Sequence, residues 1–312
     1  MMSISFPEEV TIVEMLPRDG FQRFPRWVPT EEKIAIIDDL SRVGLPEIEV
    51  TSFTHPDVVP NLRDAEAVVS GITRRSDVVY RALVPNVIGT NRAIDAGIDK
   101  VNALITASPE YNRRNQNMTI DENLVVISEI IDIGHDSGLT VEAGIGMSFF
   151  SPYEGRIAKS QTLRIVEEVI GFGVDEVTLA TSMGMANPVQ VADVVSTIYR
   201  RFPDVDLGLH LHDTNGMSLA NTIVAMQLGI RRFDCSIGGL GGGVILPDAM
   251  ENIGNTPTED LLNMLREMNV ESGVDFEAIV TIARDTLTAL DVPASSHVLM
   301  GGIPEVVLAQ NR

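Results

Sequence analysis

This chain of 312 residues is short of cysteine, lysine and positive charge, and each shortage closes off a class of function. Cys235 is the only cysteine, so no disulfide can form within the chain and no cysteine-rich zinc site can be built. A reducing compartment is the natural home of such a sequence. Lys33, Lys100 and Lys159 are the only lysines, and 23 Lys and Arg stand against 44 Asp and Glu for a formal charge of −21 at pH 7. That balance argues against nucleic acid and anionic membrane surfaces as partners, and an anionic substrate would need a locally basic pocket. No stretch reaches the roughly 20 uninterrupted apolar residues of a membrane span, and Met1 to Pro7 carry neither a basic nor an apolar leader segment. The expectation is a soluble, cytoplasmic protein.

What is present is an alternation. Short apolar runs read as strands at Val10–Met15, Ile48–Thr51, Val78–Val84, Lys100–Ile105, Thr140–Gly144, Glu176–Leu179, Asp206–His210 and Arg232–Ser236. Between them lie helices at Thr30–Val43 (Thr30 as N-cap, Gly44 as stop), Asn61–Gly71, Val87–Ala96, Thr119–Asp136, Gln161–Gly171, Pro188–Phe202 and Asn215–Leu228. Eight strand–helix repeats with apolar strands call for an all-parallel sheet covered by helices. No phosphate-type glycine fingerprint follows the first strand, so a closed (β/α)8 TIM barrel is expected over an open doubly wound sheet. Helices at Asp260–Met268 and Phe276–Leu290 exceed what the eighth repeat needs. The domain reading is therefore a barrel over 1–273 and a C-terminal helical extension, 274–312, packed on it.

The most pointed motif is Gly208-Leu209-His210-Leu211-His212-Asp213-Thr214. On a strand, His210 and His212 face the same way, which makes either a hydrogen-bonded pair at a strand end or two nitrogen ligands of a metal. Barrel active sites gather at the C-terminal ends of the strands. There the first strand offers Arg18-Asp19, the second Glu49, which needs a cation as partner if it points inward, and the fourth a polar loop, Thr106 to Arg114, whose paired Arg113 and Arg114 either meet an anionic substrate or are solvated. The eighth offers Gly238-Gly239-Leu240-Gly241-Gly242-Gly243, then Asn255 as helix cap or carbonyl ligand. Asp19, His210, His212 and Asn255 form a mixed nitrogen and oxygen set that suits Mg²⁺ or Mn²⁺ better than a closed zinc site.

Six segments in order, Pro17-Arg18-Asp19-Gly20-Phe21-Gln22, Ile48-Glu49-Val50-Thr51-Ser52-Phe53, Pro152-Tyr153-Glu154-Gly155, His210-Leu211-His212-Asp213-Thr214, Gly238-Gly239-Leu240-Gly241-Gly242 and Gly254 to Asp260, resemble the 3-hydroxy-3-methylglutaryl-CoA lyase family. The resemblance runs from about Val10 to Leu290 and extends to the metal-dependent barrels of isopropylmalate and homocitrate synthases. It implies a divalent cation (Mg²⁺ or Mn²⁺) on Asp19, His210, His212 and Asn255. It also implies that Arg18 stabilises the departing acyl-CoA enolate, that Glu49 supports the site, and that Asp19 and His210 take part in catalysis. Gln22, Arg18, Thr181 and Gly243 would face an acyl-CoA substrate, in a homodimer.

Two positions depart from the family pattern. The lyases carry a catalytic cysteine directly after Gly-Gly-Leu-Gly-Gly, where this chain has Gly243, and an Asp-Thr pair where it has Thr181-Ser182. Cys235 lies inside the eighth strand and cannot stand in by position. Asp248, Glu251 or a water would then carry the proton, and Val244-Ile245-Leu246 would suit a more apolar acyl group. The expected activity is metal-dependent carbon–carbon cleavage of a related 3-hydroxyacyl-CoA. A condensing synthase or keto-acid aldolase, and a metal-binding barrel without catalysis, are the alternatives.

Overall fold

Alternation inside the strands decides this architecture. The computed structural model describes residues 5–243 and 254–309. Met1 to Ile4 and the segment holding Val244 to Leu246, Asp248 and Glu251 lie outside the described residues. Eight parallel strands close on one another: β1 (Thr11–Glu14), β2 (Glu47–Ser52), β3 (Val79–Val84), β4 (Lys100–Thr106), β5 (Thr140–Gly146), β8 (Glu176–Ala180), β9 (Leu207–His210) and β10 (Arg232–Cys235), with β1 bonded to both β10 and β2. A small antiparallel hairpin, β6 (Phe150–Ser151) and β7 (Gly155–Arg156), rises from the end of β5. The fold is a (β/α)8 TIM barrel.

The helices are α1 (Thr30–Leu40), α2 (Ala65–Gly71), α3 (Val87–Ala96), α4 (Pro109–Gln116), α5 (Ile120–Asp136), α6 (Lys159–Gly171), α7 (Pro188–Arg201), α8 (Ser218–Gln227), α9 (Thr258–Glu267), α10 (Phe276–Leu290), α11 (His297–Gly301) and α12 (Pro304–Ala309). Their starts follow local chemistry. Thr119 and Glu122 close a capping box on α5, Asn187 and Gln190 another on α7, and Gly97 ends α3 in the left-handed region. Three local expectations are corrected. Pro29, not Thr30, caps α1, because the Thr30 hydroxyl donates to Asp64 instead (2.8 Å). The polar stretch after β4 is a helix, α4, capped by Ser108. The helix after β9 starts at Ser218, whose N–H is taken by Asp213 Oδ1 (2.8 Å).

One side of each strand packs on the helices. Ile12, Ile48, Val101, Val141, Leu209 and Phe233 are all buried in a continuous apolar shell. The other side points into the barrel and is charged, so the strands are not the uniformly apolar runs expected of them. Arg81 on β3 is fully buried and reaches four carboxylates from three other strands: Glu47 (3.2 Å), Glu49 (2.5 Å), Glu142 (2.8 Å) and Asp234 (3.0 Å). Lys100 pairs with Glu47 (2.9 Å) and with Glu176, and Arg232 with Glu142 (2.6 Å) and Glu176 (2.5 Å). A Cβ on Gly208 would stand 2.9 Å from Thr178 Oγ1 and 3.2 Å from the Arg232 guanidinium, so the residue leaves room for both.

Burial alone would depress the Arg81 guanidinium, but Asp234, Glu142, Glu49 and Glu47 raise it well above its ordinary value. Removing one partner of a buried ion pair leaves the others uncompensated. Arg81→Ala is expected to lower unfolding free energy by about 3–5 kcal/mol, read from urea unfolding curves. A loss within the scatter of surface variants would show that the network carries no such weight.

Candidate active site

Arg18 and Asp19 sit on a single π-type turn, Leu16–Gly20, that leaves the end of β1. The turn forms because Met15 O accepts the N–H groups of Arg18 (3.1 Å), Asp19 (2.7 Å) and Gly20 (3.3 Å), which folds both side chains back over the barrel mouth. Arg18 Nε donates to Glu49 Oε1 and Nη1 to Asp19 Oδ1 (2.5 Å). Glu49 is fully buried, and its Oε2 accepts from Arg81 (2.5 Å), so its cationic partners are Arg18 and Arg81 together.

His210, at the end of β9, and His212, just past it, turn their Nε2 atoms to within 3.0 Å of each other. Asp19 completes a buried triangle whose ligand atoms all lie within 4.8 Å of one another. Nitrogens 3.0 Å apart match two ligands at right angles, each about 2.1 Å from one ion. His210 Nδ1 is held by Asp234 Oδ2 (3.0 Å), the carboxylate backing that orients a ligating imidazole. Asn255 donates through Nδ2 to Asp19 Oδ2 (2.7 Å) and to the Leu240 carbonyl (2.9 Å), while its buried Oδ1 has no hydrogen-bond partner. That orphaned oxygen beside the triangle is what a fourth, carbonyl ligand would look like.

The electrostatics suit a cation. Burial would raise the Asp19 carboxyl, yet Arg18, His210 and His212 hold it well below the usual carboxylate range. Burial, and then His210 beside it, pushes His212 down to about 3, so its imidazole is neutral and free to ligate. The Gly-rich segment lies directly on this group. Gly242 N–H donates to Asp19 Oδ2 (3.0 Å), and a Cβ on Gly241 would stand 2.0 Å from Asn255 Nδ2 and 2.5 Å from Asp19 Oδ2. Only glycine fits at 241.

Around these groups opens a cavity with about 970 Å³ free of protein atoms, including space open to solvent. Its polar floor holds Arg18, Asp19, His210, His212 and Asp234, and its apolar wall includes Val58, Val59, Leu83, Pro85, Leu104 and Met147. Met147 also forms a small apolar cluster with Tyr111 and Met183. Gln22 and Gly243 line the cavity, and Gln22 Nε2 donates to Asp19 Oδ1 (2.7 Å) and to the Gly242 carbonyl (2.6 Å). Thr181 does not line it. Its Oγ1 accepts the His212 N–H (2.8 Å), so it fixes the strand end, and the lining residue is its neighbour Ser182. Arg113 and Arg114 both pair with Glu110 (3.7 and 2.7 Å). Cys235 is fully buried against Val13 O and Thr258 Oγ1, and burial, with Glu14 adding to it, pushes its thiol well up.

Reading the sequence for apolar runs missed Arg81, Glu142 and Asp234, which support Glu49 and His210. Charged residues recurring at every second position of a strand, Glu47 and Glu49, Arg232 and Asp234, were the available signal. It also missed Glu14. From behind the cavity its Oε1 accepts the N–H groups of Leu16 (2.8 Å) and Ile237 (3.1 Å), and its Oε2 accepts from Thr258 Oγ1 (2.6 Å). One carboxyl thus ties together the Arg18–Asp19 turn, the start of the Gly-rich segment and helix α9.

Comparison with known proteins gives a consistent picture. The HMGL-like family pattern matches residues 9–286. A hydroxymethylglutaryl-CoA lyase of Bacillus subtilis is 41% identical over 279 residues, covering 89% of this chain and 92% of that protein. The mitochondrial hydroxymethylglutaryl-CoA lyase of Bos taurus is 35% identical over 94% of this chain and 90% of its own length. Among solved structures, the HMG-CoA lyase of Bacillus subtilis superposes with a TM-score of 0.91 at 40% identity, covering 95% of this chain and 98% of that one. An HMG-CoA lyase of Acinetobacter baumannii, solved with coenzyme A and 3-methylmalate, gives 0.90 at 36% identity, with 97% and 98% covered.

Two outcomes follow from this geometry. Calorimetric titration with Mn²⁺ should show one binding event that His212→Ala abolishes and Gly241→Ala weakens at least about tenfold, the cost of displacing supporting groups around a metal; unchanged affinity in both variants would sink the assignment. Burial pushes the Glu14 carboxyl up from its ordinary 4.5 to about 7. The folded chain therefore keeps a proton that the unfolded chain releases, and the stability this contributes below pH 4.5 is lost as pH rises to about 7. Melting curves of Glu14→Gln across that window should have a shallower fall than the parent, and parallel slopes would refute it.

Proposed function

The chain belongs to the HMGL-like family, and from that membership we propose that its barrel mouth cleaves a 3-hydroxy-3-methylglutaryl-CoA-like thioester into an acyl-CoA and a ketone or keto acid. It is a carbon–carbon lyase that acts on an acyl-CoA. One observation carries the assignment of the reacting groups. Arg18 lines the cavity beside Asp19, His210 and His212 with Nε and Nη1 already engaged, and its Nη2 makes no hydrogen bond among the described residues.

Asp19, His210, His212 and the Asn255 carbonyl would hold a divalent cation, and the mixed donor set supports Mg²⁺ or Mn²⁺. Such an ion supplies Lewis-acid polarisation of substrate hydroxyl and carboxylate oxygens, which makes the hydroxyl proton easier to remove. As a base takes that proton, the C3–O bond becomes a carbonyl, the C2–C3 bond breaks, and its electron pair passes into the thioester as an enolate. Arg18 meets the charge developing on the thioester oxygen through its free Nη2, while Glu49 and Asp19 keep the guanidinium in place. A proton delivered to C2 completes the acyl-CoA.

The family's loop cysteine is replaced by Gly243, and the only thiol, Cys235, lies in the core, so the proton comes from another group. Asp248 and Glu251 are the acids closest in sequence. The acidic charge of −21 and single buried cysteine support a cytoplasmic enzyme that engages neither nucleic acid nor membrane, and the family resemblance supports a homodimer. Residues 274–312 read as a helical extension of a barrel that ends at 273.

Purified protein incubated with Mg²⁺ or Mn²⁺ and 3-hydroxy-3-methylglutaryl-CoA should yield acetyl-CoA and acetoacetate by mass spectrometry, and chelation should stop it. Arg18→Gln should lower kcat by about 10²–10³-fold with little change in KM. No cleavage of this thioester or of its 3-alkyl relatives would overturn the reading. Free CoA released from acetyl-CoA and a keto acid would turn it into a condensing enzyme.

A further inference from the structure

An acyl-CoA brings several negative charges to a chain whose own formal charge is −21. The cavity floor offers Arg18, whose Nε and Nη1 are already committed to Glu49 and Asp19. The phosphates at the nucleotide end must therefore be met outside the floor. The paired Arg113 and Arg114 that stood out in the sequence share Glu110 on their own helix, which balances one of their two charges.

On the loops after β1 and β2, three arginines have no carboxylate partner among the described residues. Arg23, Arg26 and Arg63 are exposed and form no ion pair among the described residues. They sit on two neighbouring loops, the one after β1 and the one after β2, joined where Asn61 Nδ2 donates to the Phe24 carbonyl (2.7 Å). Each is held by uncharged groups. Arg23 Nη1 donates to the carbonyl of Gly243 (3.2 Å), a cavity-lining residue. Arg26 lies 5.6 Å from the Phe24 ring centre and donates through Nη2 to the Ala289 carbonyl (3.3 Å). The Arg63 guanidinium stacks 3.6 Å from the Trp27 ring centre. Asp64, the carboxylate next in sequence, is already occupied by Lys33 Nζ (2.7 Å) and Thr30 Oγ1 (2.8 Å). Carbonyl and ring contacts orient guanidiniums without cancelling their charge. Val58 and Val59, on the second loop, line the cavity itself, so the cluster borders its mouth.

We infer that Arg23, Arg26 and Arg63 form the phosphate subsite for the nucleotide end of the acyl-CoA, with the thioester arm running from there past Val58 and Gly243 to Arg18. This rests on the acyl-CoA lyase reading above, but it is tested by binding rather than turnover.

Full-length protein is titrated with CoA, with 3′-dephospho-CoA and with pantetheine, which lacks the nucleotide. The triple variant R23A/R26A/R63A should bind CoA at least about tenfold more weakly, the scale of losing one or more charge-assisted phosphate contacts. Pantetheine affinity should be unchanged, R113A/R114A should bind CoA as the parent does, and R23K/R26K/R63K should recover part of the loss. Equal CoA affinity in the parent and the triple alanine variant overturns the proposal. So does a parallel loss for pantetheine, which would mean that the loops had merely shifted. Wild-type protein that binds CoA through these arginines yet cleaves no hydroxyacyl-CoA would defeat the lyase reading and leave the subsite standing.

Discussion

Arg81 is the point on which both the barrel and its site depend. The guanidinium sits inside the barrel and touches carboxylates from β2, β5 and β10. Two of those carboxylates also reach the residues at the barrel mouth. Glu49 passes the constraint to Arg18, and Asp234 passes it to His210. The group expected to stabilise the enolate and a group expected to hold the metal are thus placed by one side chain that never reaches substrate. Buried ion pairs are costly to assemble, and here the assembled network places reactive groups as well as joining the strands that carry them.

The same interior shows an imbalance. Arg18, Arg81, Lys100 and Arg232 bring four positive charges, against six carboxylates in Asp19, Glu47, Glu49, Glu142, Glu176 and Asp234. By formal count two negative charges are left over inside the barrel as a whole. A divalent cation would close that difference, an argument independent of the ligand distances.

How far the sequence carries the argument depends on the kind of residue. Strand and helix periodicity yielded the barrel, because the apolar shell between sheet and helices obeys it. The grouping of Asp19, His210 and His212 was legible because such residues are unusual at strand ends. Arg81 and Glu142 were not, since each is a single charge in a short run, and the partners of these two and of Asp234 come from other strands. Thr181 shows the opposite error: it lies next to the cavity in sequence, yet its hydroxyl is spent on the His212 backbone, and the chain turns Ser182 inward instead. The segment around Asp248 and Glu251, where this chain departs from the lyases, lies outside the described residues.

An interior lined with ions responds to heat differently from one lined with leucine. The hydration that charged side chains give up on folding becomes less favourable as temperature rises, so the penalty for enclosing Arg81, Arg232 and their carboxylates shrinks on warming. The apolar shell outside the strands gains no such relief. Warming therefore shifts the balance of cohesion inward, toward the side chains that also hold the reactive groups in register.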